Sequence, residues 1–371
     1  MTVSRAVLGG ILAAVMLFTG TASYLFLGSK TSKIAEVPQK PTAATPRAQA
    51  LRLPGTLYLI QSGALYSLAA GRFHQLTPEA GWAQPALYPD GSRLLIVKWT
   101  RAYSDVYIMS RFGKVQKKLT TNVAPPRLSY DTGANHWSFY PRLGTDGRLY
   151  MAYDEPKFGY DVVMSIWSMP LGGNIRQGTL WSNADDYTGG DVQPIPLRRG
   201  GVIYTKYSYG PDIKLVGQLW YLQHPYTRGV PSTYGRALTG PYDDCRNPSM
   251  SPSGTQVAMI CTYEKQLSYL EIASWNGKSL GPRRKVVTDR LVAQPTWAPD
   301  GSGIAYLAPS IGGGPFQLWF LPKEAYTAPA TPSPSPGEEA LPSPSPLAPV
   351  KPIQVTTTSG FTATSPMAWA N

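Results

Sequence analysis

Gln84-Pro85-Ala86-Leu87-Tyr88-Pro89-Asp90-Gly91-Ser92 recurs down the chain, as Asn247-Pro248-Ser249-Met250-Ser251-Pro252-Ser253-Gly254 and as Gln294-Pro295-Thr296-Trp297-Ala298-Pro299-Asp300-Gly301-Ser302. Each copy runs into an apolar stretch: Leu94 to Val97, Val257 to Cys261 and Ile304 to Leu307. Proline and Asp-Gly end one strand and reverse the backbone. The short aromatic and β-branched runs beyond them suit the next strand. Self-similarity at a fixed spacing marks units that bury their apolar faces only against one another.

Working outward, each copy opens a unit of four strands. The prolines that set the rhythm are Pro85, Pro141, Pro194, Pro248 and Pro295, spaced 56, 53, 54 and 47 residues apart. The second and third units keep the rhythm with altered turns, Thr145-Asp146-Gly147 and Arg198-Arg199-Gly200. In the first unit the strands are Gln84 to Tyr88, Arg93 to Lys98, Asp105 to Met109 and Lys117 to Thr120, and the closing strand often ends in Leu-Thr. The fourth strands of later units fall at 178–181, 236–239 and 285–288. In the fifth unit Ile353 to Thr356 comes late, after a Pro/Ser-rich insertion at 327–352 with no core of its own. Leu57 to Ile60, Ala64 to Leu68 and Phe73 to Thr77 remain at one end, and Thr364 to Trp369 at the other. Three strands and one make a sixth unit. The expected fold is all-β, a six-bladed β-propeller over 54–371 closed by three N-terminal strands and one C-terminal strand. Closure leaves only short, protected edges.

Bulk composition agrees. Of 371 residues only 15% are charged, while Tyr stands at 23 and Gly and Pro at 36 each. Short strands and many turns give that profile, and long helices do not. The formal charge of +12 comes partly from Lys114 to Lys118, Arg198-Arg199 and Arg283-Arg284-Lys285. These clusters lie beside turns and read as solvated surface, so no nucleic-acid partner is expected. Ala6 to Leu27 carries no charge and is long enough to cross a bilayer core of about 30 Å. A cleaved signal peptide is the alternative, but the apolar run resumes at Tyr24-Leu25-Phe26-Leu27. Residues 1–27 are therefore expected to be an uncleaved signal anchor, a transmembrane helix. Residues 28–53 follow as a flexible tether, and the propeller lies outside the cytoplasm, periplasmic or at the cell surface.

Pro295 to Ala305, Pro85 to Ile96 and Pro248 to Ala258 resemble the PD40 (WD40-like) repeats of TolB-like six-bladed β-propellers. The resemblance spans 54–371. It implies an envelope protein-interaction platform and specifies no chemistry. The amino-terminal α/β domain that the resemblance would bring is not recognisable here.

Strand direction sorts the loops. The Pro-Asp-Gly turns fall on one face, and Asp90 and Asp300 read as turn formers. The second-to-third-strand loops and the connections between units fall on the opposite face, with Tyr103, Asp185, Asp186, Tyr187, Tyr209, Asp212, Tyr242, Asp243 and Asp244. Aromatics with carboxylates around a funnel suit a glycan, a peptide or a cation such as Ca²⁺. Asp and Tyr also fill ordinary propeller turns. No His-Glu-x-x-His motif occurs. The leading expectation is a non-catalytic platform for an envelope protein or glycan, with no cofactor. The alternative is a metal-assisted polysaccharide lyase or hydrolase using those carboxylates. Cys245 and Cys261, the only cysteines, end adjacent strands. A disulfide suits an oxidising compartment, and two buried thiols are the alternative.

Overall fold

Strands form where apolar runs lie, and turns where Pro and Gly interrupt them. A computed structural model describes residues 52–371 except 129–131, 158–161, 211–212, 264–267, 311–312, 328–349 and 358. The expected anchor, almost all of the tether and most of the Pro/Ser insertion lie outside the described residues. Among those described, no helix is long and apolar enough to cross a membrane.

The chain begins with β1 (Thr56–Gln61), β2 (Ala64–Ala69) and β3 (Arg72–Gln75). Blade 1 is β4 (Trp82–Leu87), β5 (Arg93–Trp99), β6 (Ser104–Ser110) and β7 (Val115–Lys118). Blade 2 is β8 (Ser138–Leu143), β9 (Arg148–Tyr153), β10 (Ser165–Pro170) and β11 (Thr179–Leu180). Blade 3 is β12 (Asp191–Pro196), β13 (Val202–Tyr209), β14 (Leu215–Leu222) and β15 (Arg236–Ala237). Blade 4 is β16 (Cys245–Met250), β17 (Gln256–Thr262), β18 (Ser268–Ser274) and β19 (Arg284–Val287). Blade 5 is β20 (Ala293–Trp297), β21 (Gly303–Pro309), β22 (Phe316–Pro322) and β23 (Ile353–Gln354). Finally β24 (Ala368–Ala370) pairs antiparallel with β1, so blade 6 has the order β24-β1-β2-β3. The described residues thus form six four-stranded antiparallel sheets, a six-bladed propeller. The inner strands β4, β8, β12, β16, β20 and β24 neighbour one another in a full circle.

The core is divided among the junctions. Leu94 and Ile96 of blade 1 pack on Tyr58, Ile60 and Leu65 of blade 6. Leu95 and Val106 face blade 2 instead, against Leu149 and Met151. Successive residues on one strand therefore serve different cores, as side-chain alternation requires. Each such side chain contributes about 1.5–3 kcal/mol on burial, and none of it is available to a lone blade.

Three local devices repeat. The first is the turn: Gly91, Gly147, Gly200, Gly254 and Gly301 take φ of 68–86° and each donates its N–H three residues back. Asp90 and Asp300 fold their carboxylates onto the N–H of Ser92 and Ser302 at 2.9 Å, confirming them as turn formers.

The second device is an inner-strand bulge. Proline offers no N–H, and the ladder slips there in blades 1 to 5. The residue before it, Gln84, Tyr140, Gln193, Asn247 or Gln294, takes φ of 51–58°. Groups freed there reach the next blade. Gln84 Oε1 accepts from Tyr140 N at 2.7 Å, Gln193 Oε1 from Asn247 N at 3.0 Å and Ser365 Oγ from Gln84 N at 2.8 Å.

The third is the Leu-Thr ending. Thr77, Thr120, Thr239 and Thr356, and Ser182 in blade 2, accept the N–H of Leu65, Val106, Leu219, Leu318 and Ile166 at 2.9–3.0 Å. A side-chain oxygen thus takes the place of the fourth strand's carbonyl. For that reason β11, β15 and β23 are shorter than the spacing predicts. β24 is shorter as well, because Pro366 interrupts it. Cys245 and Cys261 are cross-strand partners joined by a disulfide, which removes the free-thiol alternative.

Candidate functional site

The inner strands can be aligned on their X-Pro steps. One residue earlier, on the loop side, stand Ala83, Phe139, Val192, Arg246, Ala293 and Thr364. Where blades 6, 1, 2 and 3 meet, this layer widens into a funnel of about 450 Å³ lined by Ile60, Trp82, Trp99, Phe139, Tyr140 and Val192, with Gln84 and Ser365 at its floor. Trp82 is held from behind: its indole N–H donates to Glu79 at 3.1 Å, and the Lys98 ammonium lies 4.4 Å above its ring. Trp99 ends β5 with 51% of its surface exposed. It meets Phe139 edge-on at 5.3 Å and Trp137 at 6.4 Å. Burial of Tyr140 pushes its phenol up to about 12, so it stays neutral. Rigid rings beside a few polar atoms offer stacking surface at little entropic cost.

Most of the residues singled out from sequence sit in two groups on the loop side, at the entries to blades 3 and 4. Tyr187 and Tyr209 meet where blade 2 leads into blade 3, the Tyr209 hydroxyl donating to the Tyr187 carbonyl at 3.2 Å. Both are exposed, as is Asp186. Asp185 is bound to Lys206 at 3.1 Å. That ammonium also lies 3.7 Å from Asp191, whose complete burial raises its carboxyl to about 6. The second group leads into blade 4. Tyr242 is exposed there, Asp243 pairs with Arg283 at 2.8 Å, and Asp244 accepts the N–H of Gly217 at 2.9 Å. Tyr103 closes the β5–β6 turn, its N–H on the Thr100 hydroxyl at 3.0 Å. Asp212 lies outside the described residues.

Asp185, Asp243 and Asp244 thus have structural partners. Among the described residues, no group of three or more His, Cys, Asp or Glu side chains is placed to hold a metal ion. Sequence reading missed Trp82, Phe139 and Tyr140. The available signal was aromatic residues beside the X-Pro step, as in Trp137-Ser138-Phe139-Tyr140-Pro141.

Neither a protein-family model nor a curated protein matches the sequence. Solved structures do share its fold. TolB from Acinetobacter baumannii superposes with a TM-score of 0.52 at 13% identity, over 73% of this chain and 62% of that one. The chain therefore spans less than two thirds of that protein's length. A putative TolB from Agrobacterium tumefaciens is 14% identical over 74% of this chain and 86% of that one, with a TM-score of 0.48. Hydrazine synthase of Kuenenia stuttgartiensis gives 0.51 at 10% identity, over 77% of this chain and 46% of that one. At such identities the likeness is one of fold.

Proposed function

We propose that this six-bladed β-propeller, which shares its fold with TolB, is a membrane-tethered, extracytoplasmic platform that binds an envelope protein or glycan without catalysis. The aromatic funnel carries this reading. It offers the half-exposed Trp99 with Trp82, Phe139 and Tyr140 around a concave space of about 450 Å³. Rings in that arrangement stack against sugar faces or clasp apolar side chains, and the amide of Gln84 and the hydroxyl of Ser365 line the same space for orientation. The loop-side carboxylates support the platform over the lyase, because Asp185, Asp243 and Asp244 are occupied in holding loops. The anchor rests on the uncharged stretch Ala6 to Leu27, and with it the placement outside the cytoplasm.

The test is binding by the full-length protein to envelope polysaccharide fragments and to partners retained in native membrane purification. Trp99→Ala and Phe139→Ala should each weaken the retained ligand about tenfold or more, as the loss of a central aromatic anchor does. Ser253→Ala, in a turn on the opposite face, should change nothing. Full binding by both funnel variants would exclude the funnel as the site.

A further inference from the structure

One residue beyond each X-Pro step, toward the turns, the inner strands present Ala86, Arg142, Ile195, Ser249, Thr296 and Met367. Arg142 is the single charged side chain in this layer. It lines a channel cavity of about 210 Å³ together with Ile195, Ser249, Thr296 and Met367. The cavity shares Tyr140 with the funnel, and shares Ser249, Met250 and Thr296 with a wider space at the turn-side mouth. Its lining contains no Asp or Glu.

Every other feature of Arg142 fits a cation awaiting a partner. One guanidinium nitrogen, Nη1, donates to the Pro141 carbonyl at 3.1 Å, and that is the hydrogen bond the side chain makes. The ion pairs among the described residues do not include it, whereas Arg246, in the layer above, has Asp244 at 3.9 Å. Desolvation brings the Arg142 guanidinium down to about 10, yet it stays charged at neutral pH. Arg142 is partly buried in this channel, and a charge drawn out of bulk water without a counter-charge costs stability. At the turn-side mouth stand Arg111 and Arg198, with Asp90 the acid among them. Arg111 is held by Tyr58 and the Asn371 carbonyl, and Arg198 by the Pro252 carbonyl.

We infer that the channel binds a small monocarboxylate at Arg142, with the acid's short apolar chain against Ile195 and Met367. The planar guanidinium fork matches two carboxylate oxygens. Ser249, which lines the same cavity, supplies a hydroxyl for a remaining lone pair. A phosphate would bring a second negative charge, and this layer has no second cation to meet it. The cavity has space for about seven waters at the volume each takes in the liquid. That admits an acid of butyrate's size.

The experiment is saturation-transfer NMR on the full-length protein, with sodium butyrate and its neutral isostere butyramide as probes. The inference expects saturable butyrate binding, with butyramide weaker by about tenfold or more, the value of a charged hydrogen-bonded contact. Arg142→Gln should abolish that preference, and Arg142→Lys should retain part of it. Equal binding of the two probes to the wild type overturns the inference, and so does the absence of saturable butyrate binding. This comparison needs no variant, so it decides even if Arg142→Gln does not fold. Unchanged butyrate binding by a folded Arg142→Gln also overturns it. Failure here leaves the funnel reading intact, because no variant touches the aromatic rings.

Discussion

On the turn face, five inner hairpins close alike, with glycine at φ of 68–86° and an N–H returned three residues back. On the loop face the connections differ from blade to blade. β1 and β2 are joined by Ser62-Gly63 alone, whereas the segment between β9 and β10 runs from Asp154 to Met164. One face repeats because each hairpin solves the same local backbone problem. The other varies because its loops are released from that problem and can carry specificity. The concave aromatic surface lies on the varied side, and the repeated side holds the blades in register.

The largest break of this contrast is removal of residues 364–371. That deletes β24 together with Met367 and Trp369, which pack in the core between blades 5 and 6. It exposes the pairing edge of β1 as well. Trp-sized losses cost about 3–5 kcal/mol each, comparable to the stability of a whole domain. The truncated protein should show no cooperative thermal transition. A normal melt would mean the ring does not depend on this strand.

Gly301→Ala probes one turn. A Cβ there meets nothing within 4 Å, so only the backbone conformation, φ of 73°, resists it. Denaturant titration should show a loss of about 1–2 kcal/mol with ligand affinity unchanged. On the loop face Trp99→Ala should behave in the opposite way. Stability falls by about 1 kcal/mol from lost ring contacts, while binding falls far more.

Another effect is in pH. Asp191 has a folded value of about 6 against an ordinary unfolded value of about 3.9. The folded state therefore holds this proton more tightly, and the associated stability is lost as pH rises from about 4 through 6. Asp191→Asn should remove that slope from the difference in denaturation midpoint between variant and wild type. An unchanged slope would assign it to other groups.

What the sequence reveals follows the same division. Pro-Asp-Gly dictates its own backbone within one four-residue turn, so turns, strand order and blade count were readable. The Leu-Thr endings were visible too, but their purpose was not, since Thr120 serves the N–H of Val106 across a strand pair. The partners of the carboxylates were not legible because they come from elsewhere: Lys206 for Asp185 and Arg283 for Asp243. The funnel was hidden for the same reason. Trp99 and Phe139 lie 5.3 Å apart through the packing of adjacent blades, which no local pattern encodes. Even Gln84, the first residue of the recurring phrase, proved to be a clasp onto the next blade rather than part of the turn.

The most direct measurement places one photo-crosslinking amino acid at position 99 and, in a second protein, at position 300 in an exposed turn on the other face. Both full-length proteins are irradiated in native membranes and the adducts identified by mass spectrometry. The account predicts a discrete protein or glycan adduct from position 99 and none from position 300. The same adduct from both positions, or one from position 300 alone, would contradict it.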